Sequence, residues 1–149
     1  MLRVREIRSS DEAAWRRLWA GYCEFYEESL GDEVTGHTWR RLLDAKSPVH
    51  GLVAEDGKGE VVGIANYILH ENTWTTTPVC YLEDLFVAPG ARGTGAGRAL
   101  LERLVSEMRE RGWSRLYWMT REDNATARRL YDRFTRADDF VRYVVRPAP

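Results

Sequence analysis

Apolar and charged residues alternate from Leu2 to Ile7, the pattern of a half-exposed strand. Ser9, Ser10 and Asp11 follow, and their side chains suit the start of a helix. From Asp11 to about Leu30 the apolar positions recur at helical spacing. Trp15, Leu18, Trp19, Tyr22, Phe25 and Tyr26 make one face unusually aromatic, and Gly31 is the expected stop. A short second helix is expected over Thr38 to Ala45, ended by Ser47-Pro48. Gly51 to Glu55 and Val61 to Leu69 read as strands, joined by a turn at Asp56-Gly57. Asn72 to Pro78 is a threonine-rich loop around Trp74. Val79 to Val87 is a further apolar strand that carries Glu83 and Asp84, and Pro89-Gly90 ends it. Gly93 to Gly97 opens a helix that runs to about Arg111. Leu100, Leu101, Leu104, Val105 and Met108 form its inner face and Gly112 its cap. A strand over Ser114 to Thr120, a helix from about Asn124 to Phe134 and a last strand over Phe140 to Val145 complete the series.

The order β-α-α-β-β-β-α-β-α-β places antiparallel hairpins before a β-α-β unit. It predicts one α/β (α+β) domain over residues 1–149, built on a mixed, largely antiparallel sheet with helices on both faces. Its 149 residues, 44% hydrophobic and 30% charged, suit a single globular domain. No apolar run approaches the roughly 20 residues that a membrane helix needs. The opening residues MLRVREIRSSDE lack the apolar core of a secretory signal, so the expected location is the cytoplasm, with no membrane partner. The 22 basic and 23 acidic residues leave a net charge of −1, which provides no field to hold nucleic acid. Nearly all the positive charge is arginine, with Lys46 and Lys58 the exceptions. Arginine suits bidentate contacts to phosphate and carboxylate, although the bias also fits a GC-rich coding sequence. Cys23 and Cys80 lie far apart in apolar stretches, and His37, His50 and His70 show no ligand spacing. No metal is therefore expected.

Strand, glycine loop and helix start follow one another directly from Leu82 to Arg98. The free N–H groups and dipole at a helix N-terminus attract anions, and glycines let a backbone approach a pyrophosphate closely. The spacing excludes two familiar cradles. A dinucleotide fingerprint starting at Gly93 or at Gly95 ends on Arg98 or Leu100, where glycine or alanine is required. A Walker loop starting at Gly90 reaches Gly95-Ala96 and has no lysine. What the segment does contain is Arg-x-x-Gly-x-Gly, as Arg92, Gly95 and Gly97. Taken alone, this also fits a plain glycine-rich helix start.

The Arg92, Gly95 and Gly97 spacing resembles the GNAT superfamily of N-acetyltransferases. So does the Asn-x-x-Ala-x-x-Leu-Tyr pattern at Asn124, Ala127, Leu130 and Tyr131. Leu82-Glu83-Asp84-Leu85-Phe86-Val87 looks like the polyamine acetyltransferases. Tyr117-Trp118-Met119-Thr120-x-x-x-Asn124 looks like the yeast histone and polyamine branch. The resemblance implies acetyl-CoA as co-substrate. Its pyrophosphate would lie on Arg92, Gly93, Thr94, Gly95, Ala96, Gly97 and Arg98. Its pantetheine arm would pair with the backbone of Leu85, Phe86 and Val87 and hydrogen-bond Asn124. Asparagine is also a good helix cap, and the two roles are compatible. The resemblance further implies Tyr131 as the acid that protonates the departing thiolate and Glu83 as acceptor of the amine proton. Asp84 would bind a cationic acceptor. Packing for Tyr131 and salt bridges for the two acids are the plainer readings. One departure stands out. Tyr131 is followed by Asp132-Arg133-Phe134-Thr135-Arg136, without the Gly-Phe usual in the family, which puts the path into the last strand in question.

Glu24, Glu27 and Glu28 lie among Tyr22, Phe25 and Tyr26 on the first helix. Of these, Glu27, Glu28 and Tyr26 are taken as acceptor-binding candidates that would attract an ammonium and enclose it in aromatic faces. A solvated acidic face over a core stripe is the alternative. Asn66, Tyr67, His70 and Trp74 are further candidates for the same pocket. The expected reaction is direct acetyl transfer to a primary amine of a small cationic acceptor, polyamine or amino-acid-like, because neither cysteine sits in a nucleophile setting. The alternatives are a protein lysine or N-terminal amine as acceptor, or a non-catalytic acyl-CoA-binding module. A homodimer is a further possibility that the resemblance raises.

Overall fold

The computed structural model of the chain describes residues 1–148. By its internal contacts the chain divides into two units, Met1–Met119 and a second that begins at Thr120.

The first unit holds one five-stranded sheet. Its strands are β1 (Arg3–Glu6), β2 (Val49–Glu55), β3 (Val61–His70), β4 (Val79–Val87) and β5 (Arg115–Trp118), paired in that order. β1 to β4 pair antiparallel and β5 joins β4 in parallel, the mixed sheet that the element order predicts. Helices α1 (Glu12–Phe25) and α2 (Asp32–Leu43) cover one face. There Trp15, Leu18, Trp19, Trp39 and Leu42 pack on Val49, Val53, Ile64 and Phe86. Helix α3 (Ala96–Arg111) covers the other, with Leu100, Leu101 and Leu104 fully buried. Gly63 lies 3.3 Å from Leu100 at the position a Cβ would occupy, so β3 and α3 approach closely there. A cluster centred on Arg5 pins the sheet edge. Its guanidinium donates to both Asp11 oxygens at 2.8 and 2.9 Å and to Glu55 at 3.0 Å. The second unit contains α4 (Ala125–Tyr131), capped by Asn124.

Three expectations about the elements are corrected. The first helix ends at Phe25, well before Gly31. Glu27 takes the left-handed turn (φ 56°), and the Glu28 N–H closes back on the Cys23 carbonyl at 2.9 Å. Gly31 is instead the extended N-cap of α2, which starts at Asp32 rather than Thr38. Asp32 and Glu33 in the first turn and Arg40 and Arg41 in the last both complement the helix dipole. The expected strand over residues 140–145 is absent. That segment belongs to no element, and Phe140, Val141, Tyr143 and Val145 are 85%, 74%, 90% and 97% exposed. Its composition favours extended backbone, but a strand forms only where a neighbouring strand accepts its hydrogen bonds. The sheet of the first unit contains none of these residues.

Candidate active site

The pairing of β4 changes twice near its middle. On the β3 side Asn66 faces Asp84, but the next residue, Tyr67, faces Leu82. Glu83 is therefore the extra residue of a bulge, a feature that bends a strand and redirects its side chains. On the β5 side pairing runs from Val79↔Arg115 to Leu82↔Trp118 and stops. Among the described residues, no strand pairs with the outer edge of β4 from Glu83 to Val87. Its backbone groups form a template for an extended ligand.

This open edge runs into the glycine loop. A 3-10 turn at Pro89–Ala91 leads to Arg92, and Gly93 and Gly95 both have positive φ (82° and 92°). That conformation suits glycine, and it turns the chain into α3 within a few residues. The first helical bond here joins the Ala99 N–H to the Gly95 carbonyl at 2.9 Å, so the N–H groups of Ala96, Gly97 and Arg98 precede the helical ladder. Arg92 folds back. Its Nε donates to the Val87 carbonyl at 3.3 Å and its guanidinium lies 5.5 Å from the centre of the Phe86 ring. Arg98 pairs with Glu102 at 2.8 Å on the exposed side of α3.

The two acids of β4 differ sharply. Glu83 is exposed, while Asp84 is 8% exposed on the α1 face. Asp84 accepts a hydrogen bond from Asn66 Nδ2 at 3.1 Å. The Asn66 carbonyl oxygen in turn accepts from Trp15 Nε1 at 3.1 Å. The Tyr22 hydroxyl stands beside Asp84 and donates to the Glu83 carbonyl at 3.4 Å. Burial pushes the Asp84 carboxyl up to about 6, with Glu83 adding to the effect and the Asn66 and Tyr22 hydrogen bonds opposing it. Burial, and then Asp84, hold the Tyr22 phenol well above its usual range. Cys23 is raised by burial and by both Asp84 and Glu28, and Cys80 is pushed up to about 12 by burial.

A stack of aromatic rings runs along α1 from the core toward its C-terminal end. Trp15, Trp19, Tyr22 and Tyr26 follow one another at centroid distances of 5.3, 5.6 and 4.9 Å, and Tyr22 meets Phe86 edge-on at 6.4 Å. A Cβ on Gly21 would lie 2.8 Å from the Phe86 ring, so only glycine lets α1 sit this close to β4. Tyr26 is half-buried at the end of α1. Glu27 and Glu28 are exposed in the turn that follows. Of the other pocket candidates, Asn66 joins Asp84 and Tyr67 does not. Tyr67 lies against Trp113 and His50 (5.9 and 5.3 Å), because successive residues of a strand face opposite sides. His70 bonds the Tyr117 hydroxyl at 3.1 Å, and Trp74 is 88% exposed in its loop. The Trp15–Asn66–Asp84–Tyr22 cluster was not visible as a unit in the sequence. The one signal was an acid and an asparagine inside otherwise apolar strands.

In the second unit Asn124 Oδ1 accepts from the Ala127 N–H at 3.3 Å and Nδ2 donates to Thr120 at 3.1 Å. One lone pair and one N–H of its amide remain for a ligand. Tyr131 is the last residue of α4 and is half-buried. Among the described residues no group of three or more His, Cys, Asp or Glu side chains is placed to hold a metal ion, and no helix is long and apolar enough to cross a membrane.

The Acetyltransferase (GNAT) family matches residues 12–135. The chain is 35% identical over 141 residues to a D-amino-acid N-acetyltransferase of Saccharomyces cerevisiae, covering 94% of this chain and 88% of that protein. It is 31% identical over 147 residues to a thialysine N-epsilon-acetyltransferase of Mus musculus, covering 93% and 85%. Its fold is shared with AAC(6')-Iy, solved with the bisubstrate analogue CoA-S-monomethyl-acetylneamine. The TM-score is 0.83 and the identity 17%, with 99% of both chains covered.

Proposed function

The chain belongs to the acetyltransferase (GNAT) family and is an N-acetyltransferase, and from that premise we propose that it moves the acetyl group of acetyl-CoA directly to the primary amine of a small cationic acceptor. The observation that carries this reading is the open edge of β4. It starts at the Glu83–Asp84 pair and runs into the glycine loop. In this reading the backbone of Leu85, Phe86 and Val87 pairs with the pantetheine amides. The pyrophosphate lies on the amides from Gly93 to Arg98, with Arg92 beside it, and Asn124 adds a hydrogen bond to the arm.

Asp84 holds the acceptor ammonium beneath the α1 rings, while Tyr26, Glu27 and Glu28 draw it in. Glu83 takes one ammonium proton, and the freed nitrogen forms a bond to the acetyl carbon. The carbon–sulfur bond then breaks, the thiolate takes the phenol proton of Tyr131, and the second nitrogen proton, shed as the amide forms, restores the phenol by way of solvent. Both cysteine thiols are pushed up by burial, which favours direct transfer over an acyl-cysteine intermediate. Relatives named for D-amino acids and thialysine favour an amino-acid-like amine over a protein lysine. The family match over residues 12–135 supports reading the chain as one N-acetyltransferase domain.

The test is thiol release from acetyl-CoA over polyamines, amino acids, aminoglycosides and lysine peptides. Turnover is expected on one small-amine class. Tyr131→Phe and Glu83→Gln should each lower kcat by roughly 10²-fold or more. Turnover confined to peptides would overturn the acceptor, and full activity in both variants would overturn their roles.

A further inference from the structure

Trp15 is fully buried against Trp19 and Trp39, with ring centroids at 5.3 and 5.4 Å, so its indole N–H points in one direction. An indole N–H can only donate, and this one donates to Asn66 Oδ1 at 3.1 Å. The buried Asn66 amide is thereby held one way round, because a flipped amide would set its own N–H groups against the indole. Nδ2 is left facing Asp84 and donates to its Oδ2 at 3.1 Å. An ionised carboxylate accepts such a bond with either oxygen, whereas a protonated one also needs a partner for its own O–H. The other groups that act on Asp84 are neutral or acidic. They are Tyr22 and Cys23 of α1, with Tyr26 and Glu28 acting next to these two, and Glu83 on the same strand. Burial disfavours the Asp84 anion, and the Asn66 bond opposes it more strongly than the Tyr22 bond does.

We infer that Asn66 is a positioning residue: turned by the Trp15 N–H, its amide holds the Asp84 carboxyl as the anion that receives the acceptor ammonium. This deepens the reading of Asp84 given above and rests on it. Asn66 itself touches neither substrate and acts only through Asp84. The arrangement keeps a buried negative charge in place with neutral donors, so the cation that completes it is the acceptor's own. A lysine or arginine at position 66 would neutralise Asp84 and compete with the ammonium for it, whereas an amide supports the charge and leaves it unspent.

The test is Asn66→Leu, which keeps the volume and removes the donor. Carbon-13 spectra of the Asp84 carboxyl, recorded from pH 4.5 to pH 9, give its titration without any turnover. In the variant Asp84 should half-titrate at a proton concentration tenfold lower than in wild type, or lower still. Initial rates with thialysine as the amine give the second readout. KM for the amine should rise several-fold at pH 6 and return toward the wild-type value by pH 8.5, while kcat and KM for acetyl-CoA stay near wild type. A residue that only packs, or only serves Trp15, would lower stability without moving the titration. Where Asn66→Leu does not fold, the double variant Trp15→Phe, Asn66→Leu removes the indole N–H together with its acceptor and should show the same two shifts. An unmoved Asp84 titration in the folded variant overturns the inference, and so does a rise in amine KM that is equal at pH 6 and pH 8.5. Failure of the underlying reading looks different: Asp84→Asn would then leave KM for the amine unchanged, and the role of Asn66 would fall with it even if the titration moves.

Discussion

Asp84 accepts from Asn66, stands beside Tyr22 and is 8% exposed, and burial still raises its carboxyl to about 6. In the unfolded chain the same group titrates near 3.8. Between these values the folded state holds a proton that the unfolded state has released. This group's contribution to stability therefore falls as pH rises from about 4 to 6 and stays low above that. Asp84→Asn removes the ionised form and keeps an oxygen for Asn66. The variant should be more stable than wild type at pH 7.5, by an amount on the order of 2 kcal/mol, and the difference should vanish near pH 4. Its acetyl transfer should be severely reduced, and wild-type kcat/KM should fall below about pH 6 as Asp84 gains a proton. Thermal melts of the two proteins from pH 4 to pH 8 check the stability claim. A variant less stable than wild type at pH 7.5 would show that Asp84 is chiefly a structural acceptor.

At the scale of elements, the strand–loop–helix from Val79 to Arg111 was legible because its signals are local. Apolar run, proline, glycines with positive φ and a heptad-like leucine face each point to the same boundaries. The end of α1 was not legible, because Glu27 adopts a left-handed turn that sequence reasoning assigns to glycine. The bulge at Glu83 was not legible either. It depends on how β3 and β4 register over a long pairing, and it sets Asp84, rather than Glu83, opposite Asn66. The loop makes its own prediction. Gly95 has φ 92° and caps α3, so Gly95→Val strains the backbone by about 1–3 kcal/mol. The strain should appear as a weaker loop: KM for acetyl-CoA up roughly tenfold or more, with KM for the amine little changed. Initial rates with each substrate varied in turn check it. An equal rise in both would place the effect outside the coenzyme loop.

For the whole molecule, the proposed coenzyme site and folding are linked. A ligand that binds only the folded chain stabilises it by RT ln(1 + [L]/Kd), or about 2.7 kcal/mol at a hundredfold excess over Kd. For a chain of this size that corresponds to a rise in Tm of roughly 5–10 °C. Acetyl-CoA should give such a rise without any amine present, since the open β4 edge and the loop amides are already in place before an acceptor arrives. The variants separate the parts of the site. Asp84→Asn should keep the full rise, because Asp84 faces α1, where the acceptor is proposed to bind, and not the coenzyme loop. Gly95→Val should lose about half of it or more, because a tenfold weaker site forfeits about 1.4 kcal/mol. Tyr131→Phe should keep most of it, because its phenol is assigned to proton transfer. A melt that acetyl-CoA leaves unmoved in the wild type would remove the coenzyme from this edge and, with it, the roles given to Leu85, Phe86, Val87 and the glycine loop.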